Sequence, residues 1–396
     1  MLWSAVALLS LALLFSYLGW RWESRKVRPP LTRTPLVSVI IPSYCSPSLA
    51  DAVESAKRLD YPEKEIIVVD DSPGPLPQLE GVVVIKNKQR AGKARSLNQA
   101  VARAKGEILY FLDSDTVTSA DALKKLVPWF SPGVAAVCPK FMIRNKVNVL
   151  TRMISLEHSF LTSLCKLHMH FGSLIGFRGC GVAMRKDVLL RLGGWKETMI
   201  EDMDLAAKMV RARYKILFEP DAVVYTQEPS NWPDFKSQRL RWGKGSCFAF
   251  LNYYKFYLRN PQFLSYMFPY LLLSLAILGA SLYQTALYLL PASFYLISAF
   301  SLREALSVLP LLLIPLLGNA LSSATSTSLA GITHLAIVTK SERQEWARDL
   351  AYMIPYVFLY FPVTMAIYFR GLLSGVSARR KKRQEMDFSD WHPISG

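Results

Sequence analysis

The chain has 396 residues, a formal net charge of +17 and 51% hydrophobic residues, enough for one large catalytic domain plus a membrane part. The charge raises nucleic acid as a partner, but no zinc finger, RNA-recognition signature or basic zipper is present. Five scattered cysteines have no metal-ligand spacing, and His168 and His170 lack a third ligand, which excludes a zinc protein.

In chain order, Met1 to Trp20 is almost uncharged and apolar, and Leu2–Trp20 has the length to cross a bilayer core as a helix. Basic residues follow this run (Arg21, Arg25, Lys26, Arg28) instead of preceding it, which argues against a cleaved signal and for an anchor whose next domain is cytosolic. Anionic headgroups are the partners expected for these flanks and for the cluster Arg379–Arg383.

After a proline-bearing linker, strand-length apolar runs follow at Val37–Ile41, Ile66–Val69, Val82–Ile85, Ile108–Leu112 and Val134–Val137. Helix-like segments fall between several of them, at Ser48–Leu59, Ala91–Ala104 and Ala120–Phe130. Continuous apolar strands alternating with helices predict an α/β domain with a mostly parallel, doubly covered sheet. Ligands of such sheets gather at the carboxyl ends of the strands. Acids stand there: Asp70 and Asp71 after one strand, Asp113 and Asp115 after another.

Residues two apart on a strand share a side, so Asp113 and Asp115 are expected to point together and to need a cation between them. Mg2+ or Mn2+ suits such oxygen ligands and completes its shell with substrate phosphates. Glu201-Asp202 opens a helix-like run, Met203–Arg211, and two readings stay open: charge at a helix N-terminus, or Asp202 as a general base. Farther on, Gln238-Arg239-Leu240-Arg241-Trp242 offers a guanidinium for a diphosphate and a flat ring for a sugar, or else a basic-aromatic interfacial helix.

The ordered series Val37–Tyr44, Val68–Ser72, Ala91–Asn98 and Asp113–Asp115 resembles family 2 glycosyltransferases of the GT-A fold. Phe177-Arg178-Gly179-Cys180-Gly181, Glu201-Asp202 and Gln238-x-x-Arg241-Trp242 are similar to the membrane-integrated, cellulose-synthase-like branch. The resemblance implies that Pro42, Tyr44, Asp70 and Asp71 lie at the nucleobase and Lys93 near the nucleotide. It implies that Asp113 faces the donor, Asp115 coordinates Mg2+ or Mn2+, and Asp202 is the base. Glu201, Gln238, Arg241 and Trp242 would line the diphosphate and acceptor end. One departure is Ile200, where the family often has Thr before the two acids.

The expected organisation is an anchor (1–20), a cytosolic GT-A domain (36–245), an interfacial segment (246–262), transmembrane helices (263–373) and a basic tail (374–396). Four crossings from an outside N-terminus would put Arg379–Arg383 outside, against the positive-inside tendency, so the number of crossings stays open. The activity implied is inverting transfer of a hexose from a nucleotide-diphosphate sugar to a lipid-linked saccharide at the cytosolic membrane face. GDP-mannose ranks slightly ahead of UDP-glucose or UDP-N-acetylglucosamine. The alternatives are a processive polysaccharide synthase and a non-catalytic module that binds nucleotide sugars.

Overall fold

A computed structural model describes residues 17–75, 79–260 and 349–380, with Leu14, Phe263 and Leu264. Eight strands form one sheet: β1 (Val37–Ser43), β2 (Lys64–Asp70), β3 (Val83–Lys86), β4 (Ile108–Phe111), β5 (Val117–Thr118), β6 (Val134–Ile143), β7 (Val182–Arg185) and β8 (Lys215–Thr226). Their order across the sheet is β3-β2-β1-β4-β7-β6-β8-β5. The ladders through β3, β2, β1 and β4 are parallel, as is β6 with β8. Those of β7 with β4 and β6, and of β5 with β8, are antiparallel. The expectation of a mostly parallel sheet is therefore corrected to a mixed one. Val182–Arg185, with one β-branched residue in four, and the two-residue Val117–Thr118 leave no strand run in the sequence, and they carry the reversals.

Helices cover both faces. Strand alternation sends Ile40, Ile67, Val69, Leu109 and Phe111 to one side, where they meet Leu97, Ala100 and Val101 of α2 (Lys93–Arg103). Val37, Val39, Ile41 and Val68 go to the other side, against Leu49, Val53 and Ala56 of α1 (Leu49–Lys57) and Leu123 and Leu126 of α3 (Ala122–Leu126). Truncating one of these leucines to alanine costs roughly 2–5 kcal/mol. The core thus fixes the strand ends from both sides.

Four more helices finish the frame: α4 (Val149–His170), α5 (Lys186–Arg191), α6 (Glu201–Arg211) and α7 (Trp232–Tyr257). A further helix, α8 (Phe361–Arg380), lies against α7 at paired glycines. A Cβ on Gly243 would sit 2.5 Å from the Tyr368 carbonyl, and one on Gly371 would sit 2.7 Å from the Leu240 carbonyl. Only glycine permits backbones that close. Helix α7 runs unbroken through 245–246, where the catalytic and interfacial segments were expected to meet.

Among the described residues no helix is long and apolar enough to cross a membrane, and this includes α8. Most of the first apolar run, residues 265–348 and residues 381–396 lie outside the described residues, and with them most of the expected anchor, of the expected transmembrane helices and of the basic tail. The basic flank after the first run has a different partner from the one expected. Lys26 donates to Glu219 at 2.6 Å and Asp221 at 2.9 Å, and Arg28 bonds the same two acids. Glu219 is fully buried and also accepts from the Trp129 indole at 2.7 Å. An unpaired carboxylate there would be costly, so the flank is drawn onto the domain.

Candidate active site

Buried β4 ends at Phe111, and Asp113 to Thr116 form a turn closed by a 3.0 Å bond from the Thr116 amide to the Asp113 carbonyl. The turn, not strand alternation, brings the two carboxylates together. Asp113 takes the Lys93 ammonium at 2.7 Å, and Glu201 stands 3.5 Å from the same nitrogen. Lys93 is the first residue of α2, where the helix dipole disfavours a cation. Burial also works against its charge, but Asp113 and Glu201 outweigh it and hold the ammonium well above its ordinary pKa. Asp115 has no ion pair among the described residues. Burial, reinforced by Asp113, pushes its carboxyl up to about 7, with the Thr116 hydroxyl opposing.

Glu201 and Asp202 open α6 behind an N-cap, Ile200, that has no capping side chain. One Asp202 oxygen accepts from the Met203 amide at 2.8 Å and the other from the Gly179 amide at 3.0 Å. A Cβ at Gly179 would lie 3.3 Å from the Asp202 Cβ, so the Arg178-Gly179-Cys180 segment approaches this closely because it carries a glycine. Burial, then the Glu201 charge, raises the Asp202 carboxyl to about 6. Its neighbour Cys180 accepts the Asp113 amide at 3.1 Å, which joins the two halves of the site.

Half-buried Arg241, on α7, makes no hydrogen bond or ion pair among the described residues. Burial lowers its pKa, while Glu201, Asp202 and Asp113 work in the opposite direction. Its neighbours on the helix behave differently. Gln238 donates to Glu228 at 3.3 Å and leaves its buried Oε1 without a partner. The Arg239 guanidinium packs 4.3 Å from the centre of the Trp242 ring. It also bonds Glu157 at 2.5 Å and Tyr360 at 3.1 Å.

At the other end of the cleft the acids are occupied. Asp71 accepts from the Gly92 amide at 2.7 Å, the Ala91 amide at 2.8 Å and the Asn87 side chain at 2.9 Å. Asp70 binds the Lys86 ammonium and the Ser72 amide and hydroxyl. Pro42 sits within β1 opposite Val69, and Tyr44 beyond it stacks on Arg90, whose guanidinium is 4.2 Å from the ring centre.

A family model described as glycosyl transferase family group 2 matches residues 108–370, well over half of the chain. The chain belongs to this family. Among curated relatives it is similar to the poly-beta-1,6-N-acetyl-D-glucosamine synthase of Staphylococcus epidermidis, 28% identical over 214 residues, 50% of this chain and 52% of the relative. The synthase of that name from Staphylococcus aureus (strain COL) is 25% identical over 243 residues, 56% of this chain and 59% of the relative. The chain thus spans little more than half the length of the curated relatives it matches. Its fold is like that of the mannosyltransferase PcManGT from Pyrobaculum calidifontis, solved with GDP-Man and Mn2+. That likeness has a TM-score of 0.56 at 19% identity and covers 94% of this chain and 98% of the other. It establishes a GT-A-like α/β fold for this family 2 glycosyltransferase.

The donor set fits a divalent cation. Two carboxylates on one turn, one of them raised by burial and then by the other, are what a hard cation relieves. Among the described residues no three acidic, His or Cys side chains form a closed cage. An ion held here would draw its remaining ligands from phosphate and water, as Mg2+ commonly does.

Several residues of the site escaped sequence reasoning. Arg90, His158 and Glu157 leave no local signal, because their partners are far away in the chain. Glu228 did leave one: an acid just past a strand, in Thr226-Gln227-Glu228-Pro229. His158 donates to Glu228 at 3.1 Å, and burial keeps the imidazole's pKa below its ordinary value. Burial opposes the Glu228 charge, but the His158 bond with Arg239 and Arg178 outweighs it and pulls the carboxyl down to about 2.

Proposed function

We propose that this family 2 glycosyltransferase moves a hexose, with inversion, from a nucleotide-diphosphate sugar to a lipid-linked saccharide at the cytosolic membrane face. The observation that carries the reading is Arg241: a half-buried guanidinium with no partner among the described residues, in the field of Asp113, Glu201 and Asp202. A diphosphate would give it the bidentate, charge-assisted partner it lacks. Residues 36–245 would form the catalytic domain and 246–262 would lie at the interface. Residues 1–20 and 263–373 would be membrane-embedded, followed by a basic tail, 374–396.

The donor would lie with its base at Pro42, Tyr44 and Asp71, beside Asp70, where the Tyr44–Arg90 stack offers a planar edge. Its diphosphate would reach Lys93, Asp113 and Arg241. Asp115, with Asp113 beside it, would hold Mg2+ or Mn2+, which supplies charge neutralisation to the diphosphate. Asp202 takes the proton from the acceptor hydroxyl as its oxygen bonds to the anomeric carbon. The bond from that carbon to the diphosphate breaks, and its electron pair leaves on the phosphate oxygen beside Arg241. The Gly179 and Met203 amides orient Asp202 throughout, and Glu201, Gln238 and Trp242 border the acceptor.

GDP-mannose is proposed as the first donor to test, on the likeness in fold and length to the GDP-Man-bound mannosyltransferase. A second reading, processive polymerisation of N-acetylglucosamine, is favoured by the names of the curated relatives. Purified full-length protein with Mn2+ and radiolabelled GDP-mannose, UDP-glucose or UDP-N-acetylglucosamine separates them. One or a few mannoses added to a lipid-linked acceptor, abolished by EDTA, is the expected result. Long products from UDP-N-acetylglucosamine would establish the second reading instead, and turnover of none of the three would refute both.

A further inference from the structure

Between β6 and α4 lies a cleft to which none of the roles above is assigned. Lys140, Phe141, Lys146, His158, Ser159 and Thr162 line it, and Asp349 closes one end. Its charges do not balance. Lys140 is half-buried and makes no hydrogen bond or ion pair among the described residues. Lys146 and Arg152 share the single buried carboxylate of Asp349, each at 3.2 Å. Among the described residues three cations thus stand around one anion, and a half-buried ammonium without a counterion is unfavourable unless a ligand or water supplies one.

The place of the cleft in the sheet says which ligand this is. The proposed base-binding end is at β1 and β2, the acids that face the diphosphate follow β4, and β6 lies beyond β7 on the far side. A partition separates the cleft from those acids. The Arg178 guanidinium packs 4.6 Å from the centre of the Phe141 ring and donates to His158 at 3.2 Å. The other nitrogen of His158 bonds Glu228, which receives Gln238. On the reading above, a donor lying from Tyr44 to Arg241 would end at this layer, and an acceptor approaching Asp202 from the opposite side would pass along it.

We propose that this cleft binds a phosphoryl group carried by the acceptor, the phosphate or diphosphate that joins a saccharide to its lipid. The proposal rests on the reading of a lipid-linked acceptor given above. Lys140 supplies the charge, in the point-like way lysine holds phosphate, and the Thr162 hydroxyl is a nearby neutral donor.

The test uses the full chain in detergent with Mn2+ and donor, and two acceptors with one saccharide: a polyprenyl diphosphate conjugate and a neutral alkyl glycoside. Lys140→Ala is expected to raise KM for the diphosphate acceptor about tenfold and to move KM for the neutral glycoside less than twofold. Lys140→Arg should restore most of the loss. An equal change for both acceptors, or none for either, overturns the proposal. Inorganic pyrophosphate tells the two sources of phosphate apart. Competition against the lipid acceptor, lost in Lys140→Ala, supports the site. Competition against the donor alone assigns the cleft to nucleotide phosphate and overturns the proposal. Lys140-dependent binding of the diphosphate lipid, read by thermal shift without donor, survives even if no nucleotide sugar is turned over. In that outcome the transfer reading fails and this site stands.

Discussion

At the end of β2, Asp70 and Asp71 are buried, and each is bonded by protein donors. At the end of β4, on the other side of β1, Asp113 and Asp115 are half-buried, and Asp115 has no ion pair among the described residues. Both pairs follow a buried strand, and they read alike in the sequence. The first pair acts on the chain itself: Asp71 pins the Ala91-Gly92 amides ahead of α2, and Asp70 gathers Lys86 and Ser72 across the β2–β3 edge. In the second pair Lys93 holds Asp113, and Asp115 beside it stays where a ligand can relieve its charge. A carboxylate saturated by N–H groups stabilises a loop, and an unsaturated one beside another acid stores affinity for a cation.

The largest effect is expected outside both pairs, at Asp202, and it tests whether an acid oriented by two amides carries the chemistry. Asp202→Asn is nearly isosteric and should lower turnover by two to four decades, roughly 3–5 kcal/mol, with donor affinity kept within severalfold. Turnover and nucleotide-sugar affinity on one folded preparation check this; full activity in the variant removes Asp202 as the base. Because its carboxyl lies at about 6, wild-type turnover should fall as pH drops below that value and the base becomes protonated.

Asp71→Asn comes next and probes the saturated pair. The amide that replaces one oxygen would turn N–H groups toward the Gly92 or Ala91 amides, donor against donor. A loss of about 1–3 kcal/mol in unfolding free energy is expected, read as a lower melting temperature. An unchanged melting temperature would mean that the loop does not depend on this carboxylate.

The same substitution at Asp115 should have the opposite sign. Its folded carboxyl, at about 7, lies above the ordinary 3.8, so the folded state holds its proton over a window where the unfolded chain has released it. Stability contributed by the protonated group is present below about 4 and is lost as pH rises through 7. Asp115→Asn should therefore gain roughly 1–2 kcal/mol at pH 8, allowing for solvent screening, and nothing at pH 4. It should also lose Mn2+-dependent nucleotide binding. A variant less stable at pH 8, or one that still binds nucleotide only with Mn2+, breaks the contrast between the two pairs.

Much of this was legible in the chain because it depends on local pattern. The runs at 37–41, 66–69, 82–85, 108–112 and 134–137 all became strands, since β-branched runs bounded by turn residues leave few alternatives. Asp202 at the head of a helix was visible too. Its bond to the Gly179 amide, 23 residues earlier, was not. Nor was the partner of Lys26 and Arg28: beside an apolar run they read as headgroup ligands, yet the carboxylates that claim them lie more than 190 residues on.

By itself, the sequence determined the strand runs, the order of motifs along them, and the placing of acids at strand ends, because hydrophobic periodicity and turn chemistry act over a few residues. Tertiary structure decided which of those acids are spent on amides and which stay available. It also decided that β7 runs backward between β4 and β6, and that Arg239 bonds Glu157 while Arg241 bonds nothing among the described residues. Each of these turns on a hydrogen-bond partner or a neighbouring strand brought from far along the chain, and no local pattern records who that partner will be.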